Sequence, residues 1–151
     1  MLATKLKKYL DDHHVKYITI NHSPAYTAQE IAACAHVSGK EFAKTVMIKV
    51  DGELKMMVEP ANTHVDLNKL KEVTGAKSVE LASEYEFQDK FPDCELGAMP
   101  PLGEMYHLDV YVSNKLRDDE KIVFNAGTHT ELVKMKYKDF ENLVKPTMID
   151  D

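Results

Sequence analysis

The chain has 151 residues, of which 44% are hydrophobic and 29% charged, and a formal net charge of −6. That length suits a single domain over residues 1–151, able to bury roughly 70% of its unfolded surface, and the composition excludes a disordered or fibrous chain. No long apolar run suggests a signal peptide or a membrane span. The acidic balance argues against broad, salt-driven binding to DNA or any other nucleic acid.

Leu2, Leu6, Tyr9, Leu10 and His13 fall on one helical stripe. Tyr17 to Ile20 reads as a short strand, and His22-Ser23-Pro24-Ala25-Tyr26 as a turn set by its proline. Thr27 and Glu30 are spaced as a capping box, opening a helix that buries Ala28, Ile31, Ala32 and Ala35 and ends by Gly39. Asp51-Gly52 predicts a hairpin of two strands, about Lys44 to Val50 and Leu54 to Glu59. Asp66 caps a helix carrying Leu67, Leu70 and Val73, with Gly75 past its end.

A strand from Ser78 to Leu81 follows, and then a second capping box, Ser83 with Glu86, on a helix closed by Pro92. Beyond a Gly/Pro loop, Leu108, Val110 and Val112 alternate, and strands are expected at Ile122 to Phe124 and Leu132 to Met135. A last helix, Tyr137 to Val144, buries Phe140, Leu143 and Val144 and stops at Pro146. Hairpin-connected strands with helices clustered between them predict an α+β fold whose sheet is mixed and largely antiparallel.

Cys34 and Cys94 belong to no CxxC or CxxH grouping, so two reduced thiols in a cytoplasmic protein are expected. The histidines show no ligand spacing such as HExxH, and no metal site is expected. Lysines cluster at Lys5, Lys7, Lys8 and Lys16, and again at Lys134, Lys136, Lys138 and Lys145. They read as solvated faces. Any RNA would be held weakly, by its end, with specificity coming from a pocket.

Three places can carry chemistry. Lys44 shares a strand face with Val46, Ile48 and Val50, whereas Thr45, Met47 and Lys49 face the other way. Its ammonium either reaches solvent past the strand end or stands at a pocket mouth, ready for a phosphate or carboxylate; parity does not choose. Gly97-Ala98-Met99-Pro100-Pro101-Leu102-Gly103 is a stiff loop whose remaining N–H groups can hold a water or a developing oxyanion, or else a surface turn. His129 lies in the turn Asn125-Ala126-Gly127-Thr128-His129-Thr130, where a histidine is usually exposed or bonded locally. There is no GxSxG elbow, P-loop or GxGxxG, and neither cysteine has a base partner by sequence.

Taken in order, these segments resemble the YbaK/prolyl-tRNA synthetase-associated editing-domain family. The resemblance runs through residues 22–32, Gly39-Lys40-Glu41-Phe42-Ala43-Lys44-Thr45, the GxxxP-type loop Gly97 to Pro101, and Asn125 through Leu132. It implies a curled, mostly antiparallel sheet or barrel-like core with helices packed around it. It also implies a free-standing, cofactor-free deacylase that hydrolyses the ester of a mischarged aminoacyl-tRNA at its 3′ end.

By that resemblance Lys44 meets the phosphate of the terminal adenosine, and Gly97 belongs to the loop that positions water and carbonyl. His129 contacts the amino acid or the terminal ribose. Thr45, Ala98, Met99, Pro100, Gly127, His22 and Tyr26 complete the substrate's surroundings. His129 tilts the preference toward alanine, and Thr45, where some alanine-clearing members carry asparagine, leaves serine, threonine and cysteine open; the expected carrier is tRNA for proline. The alternatives are a non-catalytic module for a nucleotide or tRNA end, and a regulatory partner of an aminoacyl-tRNA synthetase.

Overall fold

The computed structural model describes residues 2–22, 38–92, 94–95 and 97–150. Tyr26, Cys34 and the helix expected from the Thr27–Glu30 capping box lie outside the described residues.

Helix α1 (Leu2–Asp12) brings in Leu6 and Leu10, one turn apart and both fully buried. His13, expected on that stripe, is exposed because the helix ends one residue earlier; its Nδ1 lies 2.8 Å from the Tyr9 carbonyl. Strand β1 (Tyr17–Asn21) follows. Strands β2 (Ala43–Val50) and β3 (Glu53–Pro60) form the predicted hairpin, with Asp51 at φ 50° and Gly52 at φ 85°. Positive φ at both turn residues matches the twist of the flanking strands. The Asp51 carboxylate fixes the turn by accepting the Lys77 and Ser78 N–H groups at 2.9 and 3.0 Å.

Helix α2 (Leu67–Thr74) starts where Asp66 accepts the Lys69 N–H and stops at Gly75 in the left-handed region, as its sequence signals require. Leu70 is its buried residue, while Val73 is exposed. After β4 (Val79–Leu81), helix α3 (Glu84–Phe87) opens with the Ser83–Glu86 capping box. It ends well short of Pro92 and tightens into a 3₁₀ turn at Gln88–Lys90. Next come β5 (Val110–Ser113), a short unforeseen helix α4 (Asn114–Arg117), β6 (Lys121–Thr128), β7 (Glu131–Lys136) and α5 (Tyr137–Val144). Tyr137 and Phe140 are the buried residues of α5; Leu143 and Val144 pack against the core only partly.

One strand escaped the sequence reading. Pro146 does end α5, but Lys145 turns the chain at φ 49° and Thr147–Ile149 forms β8, parallel to β5. A parallel pairing also joins β3 to β5. The larger sheet has the order β4-β2-β3-β5-β8, and an antiparallel sheet has the order β1-β7-β6. The two meet at a parallel bridge, Phe42 with Val123, where the Val123 N–H donates to the Glu41 carbonyl at 3.2 Å.

Between the sheets lies the main core, drawing Met47, Met56 and Val112 from one and Phe124, Val133 and Met135 from the other. Burying each such side chain stabilises the fold by roughly 1.5–3 kcal/mol. A second cluster (Ile48, Val50, Met57, Leu70 and Ile149) covers the other face of the larger sheet. The architecture is the expected α+β one, a curled and mostly antiparallel assembly with helices around it. Among the described residues no helix is long and apolar enough to cross a membrane.

Candidate active site

Lys44 enters β2 one residue past its start, half-buried at the end of the row that carries Val46, Ile48 and Val50. The two-residue hairpin turn fixes its neighbour: counting back from Asp51-Gly52, Lys44 pairs with Glu59 on β3. Glu59 is only 1% exposed. A buried carboxylate is costly unless cations and donors compensate it. Residues 60–63 turn back over this pair, with the Ala61 N–H donating to the Phe42 carbonyl at 2.8 Å and the Thr63 N–H to the Pro60 carbonyl at 3.0 Å. The Lys44 ammonium donates to the Thr63 carbonyl. The Thr63 hydroxyl reaches the Glu59 carboxylate and lies 2.8 Å from the Pro60 carbonyl. The Lys44 head is therefore held at the Thr63 backbone, and the same threonine's hydroxyl bonds the buried Glu59.

Thr45 faces the opposite side of β2 by strand alternation. Its hydroxyl is buried with no hydrogen-bond partner among the described residues.

The second group is built from main chain. The Ala98 N–H donates to the Glu95 carbonyl at 3.1 Å, closing a turn whose third position is Gly97 at φ 85°. That position demands positive φ and hence glycine. Gly127, at φ 96° near the end of β6, locks the turn in place: it accepts the Glu95 N–H at 2.8 Å and donates to the Ala98 carbonyl at 2.9 Å. Ala98, Met99, Pro100, Pro101 and Leu102 are all buried, so the segment is an interior loop and not the surface turn its composition also allowed.

His129, in the turn between β6 and β7, is 8% exposed, which is unusual for a turn histidine. Its Cε1 lies 3.6 Å from where a Cβ on Gly97 would stand. Its N–H donates to the Glu95 carboxylate at 3.2 Å, and Nε2 lies 3.6 Å from the same oxygen. The His22 N–H donates to the Thr130 carbonyl at 2.9 Å, placing His22 beside the same turn.

The structure thus brings His22, Gly97, Ala98, Gly127 and His129 together, and sets Lys44 in a separate corner with Glu59 and Thr63. The Phe42–Val123 bridge joins the corners through the backbone. Two residues beyond it stand Lys44 on β2 and Asn125 on β6, whose buried Oδ1 has no partner among the described residues. Among the described residues no group of three His, Cys, Asp or Glu side chains is placed to hold a metal ion. Sequence reasoning missed Glu59, Thr63 and Glu95. Glu59 was recoverable, because the Asp51-Gly52 turn alone sets its register with Lys44; Glu95 carried no signal, since its role depends on how the loop docks.

Residues 22–143 match the family model described as the aminoacyl-tRNA editing domain. The chain belongs to that family. Among curated relatives, the proline–tRNA ligase of Staphylococcus saprophyticus is 34% identical over 105 residues, covering 68% of this chain and 18% of the ligase. That of Bacillus mycoides is 32% identical over 75 residues, covering 50% of this chain and 13% of the ligase. This editing domain therefore spans less than a fifth of the ligases it matches.

Solved crystal structures share its fold. A hypothetical protein superposes with a TM-score of 0.86 at 22% identity over 97% of each chain. A protein described as a candidate trans-editing enzyme for prolyl tRNA synthetase does so with a TM-score of 0.82 at 19% identity, over 99% of this chain and 95% of that one.

Proposed function

We propose that this editing domain is a trans-acting deacylase that hydrolyses the ester of a mischarged tRNA. Its substrate would carry a small amino acid such as alanine, or serine, threonine or cysteine, on tRNA for proline. The observation that carries the reading is the Gly97 turn, clamped in both directions to Gly127 and packed against His129. The clamp uses the Glu95, Ala98 and Gly127 N–H groups, so the stiffened Gly97 N–H beside a nearly buried imidazole would be the donor to charge developing on a carbonyl oxygen. An aminoacyl ester is already activated, so orienting a water and donating to the carbonyl supply the needed chemistry.

Lys44 would hold the phosphate of the terminal adenosine, exchanging the Thr63 carbonyl for a charged acceptor. His129 would contact the amino acid or ribose. A discriminating second pocket makes sense for small amino acids, because one methylene distinguishes substrates by only ~1–3 kcal/mol in a synthetase's apolar pocket. The main core draws side chains from α1, α3, α4 and α5, which supports taking residues 1–151 as one domain.

The test is hydrolysis of tRNAs charged with Ala, Ser, Thr, Cys and Pro by the purified protein. One small amino acid should be cleared and correctly charged prolyl-tRNA spared; a buffer rate on all five would sink the proposal. Lys44→Ala should lower the rate roughly ten- to a hundredfold, the worth of a charge-assisted hydrogen bond, while circular dichroism shows a folded chain. His129→Ala should alter the rate or the ranking of the five substrates more than it alters the melting temperature.

A further inference from the structure

The outer face of the three-stranded sheet carries a feature that ester hydrolysis does not use. Lys121 on β6 is the register partner of Lys136 on β7. Tyr17 pairs with Met135 in antiparallel register, so one step outward Lys16 comes opposite Lys136. Three exposed lysines therefore stand in one row across three chain segments. Like charges directly opposite one another in a sheet are destabilising. No ion pair relieves Lys16, Lys121 or Lys136 among the described residues, whereas Lys134, in the next row, is held by Glu41 at 3.1 Å. The shallow groove at this place, about 240 Å³, is lined by these four lysines with Tyr17, Ile18 and Met135, and by no carboxylate. Ile18 there is 59% exposed. In a chain of net charge −6 this groove is a patch of one sign, bordered by Asp119 and Glu120 in the hollows that Lys121 and Lys136 also line.

We propose that this lysine row is the docking surface for the sugar-phosphate backbone of tRNA, behind the esterified 3′ nucleotide. The identity of the RNA rests on the deacylase reading above. Lysine heads act as point charges suited to phosphates, and such contacts position a nucleic acid without reading its sequence. Neighbouring strands lie roughly 4.8 Å apart, so the row spans about 10 Å, a linear array matched to one strand's phosphates. The row also stands at the opposite end of β6 from Gly127, six residues away and hence about 20 Å at the strand rise. The body of the RNA can cross the lysines while its 3′ end reaches the Gly97 turn.

The decisive variant is K16Q/K121Q/K136Q, in which all three changes are on the surface. Its KM for mischarged tRNA should rise about tenfold or more with kcat unchanged, and its hydrolysis of a 3′-aminoacyl-adenosine should equal the parent's. The slope of log affinity for uncharged tRNA against log salt should shrink by about one per lysine removed. K71Q/K77Q/K90Q, which changes net charge equally at exposed positions elsewhere, should leave all of these unchanged. Parent-like tRNA affinity and salt slope in the first variant, or equal losses in the second, would overturn the proposal. If the parent hydrolyses no ester, the deacylase reading fails by itself, and binding of uncharged tRNA still tests the row.

Discussion

The corner around Lys44 and the corner around His129 are built by opposite means. At Lys44, side-chain charge is set on regular strands: the hairpin register puts an ammonium opposite a buried carboxylate, and the turn after β3 brings Thr63 to bond both. At His129, the backbone does the work: two glycines at positive φ let a loop and a strand end exchange hydrogen bonds. The first corner should tolerate backbone-neutral substitutions with graded effects. The second should fail abruptly when a residue other than glycine is forced into the left-handed backbone there.

The largest effect is therefore expected at Gly97. Gly97→Val forces a β-branched residue to φ 85° and directs its Cβ toward the His129 ring. Left-handed geometry costs about 1–2 kcal/mol for a residue with a Cβ, and the displaced amides should lower deacylation by about a hundredfold or more. A Gly97→Val enzyme with parental kcat would remove the main-chain half of the comparison.

At the other corner, stability and activity should separate. Lys44→Ala removes the donor that ties the Thr63 carbonyl beside the buried Glu59, so the unfolding free energy should fall by an amount on the order of 1–3 kcal/mol. Adding Glu59→Gln should restore much of that stability without restoring deacylation. If the second change gives no recovery, the two side chains are not energetically coupled.

A surface pair makes the smallest and cleanest control. Glu86 is held down to about 2 by its hydrogen bond to Lys49 and then by the Ser83 backbone N–H. A carboxylate with a lowered folded value contributes stability above its ordinary value near 4.5, and that contribution is lost as pH falls toward about 2. Glu86→Gln should thus flatten the melting temperature across that acidic window while leaving deacylation at neutral pH untouched. A profile identical to the parent's would show the Lys49–Glu86 pair to be thermodynamically silent.

The same contrast explains what could be read from the sequence. Regular elements announce themselves through periodicity and caps, so the hairpin, α2 with Asp66 and Gly75, and the face occupied by Lys44 were all legible. Strand β8 was not, because its three residues are too few for a pattern and follow a proline that signals an ending. The parallel β3–β5 pairing joins segments about fifty residues apart, which no local signal specifies. At the site, Gly97 and His129 were recognised through family resemblance, but the burial of the loop depends on Gly127 reaching across to it. Glu95 shows the limit most clearly: an exposed glutamate by composition, it gains its place only because its own N–H is committed to Gly127.

The Phe42–Val123 bridge is a seam between the two sheets. Ladders several residues long flank it on both sides, whereas across the seam the described backbone pairing is a single bridge with a 3.2 Å hydrogen bond. Local opening between the sheets should begin there, since amides protected by few neighbouring bonds open before those inside ladders. Deuterium should accordingly enter at Val123 ahead of the β2–β3 ladder, and any such opening would part the strands that carry Lys44 and Gly127.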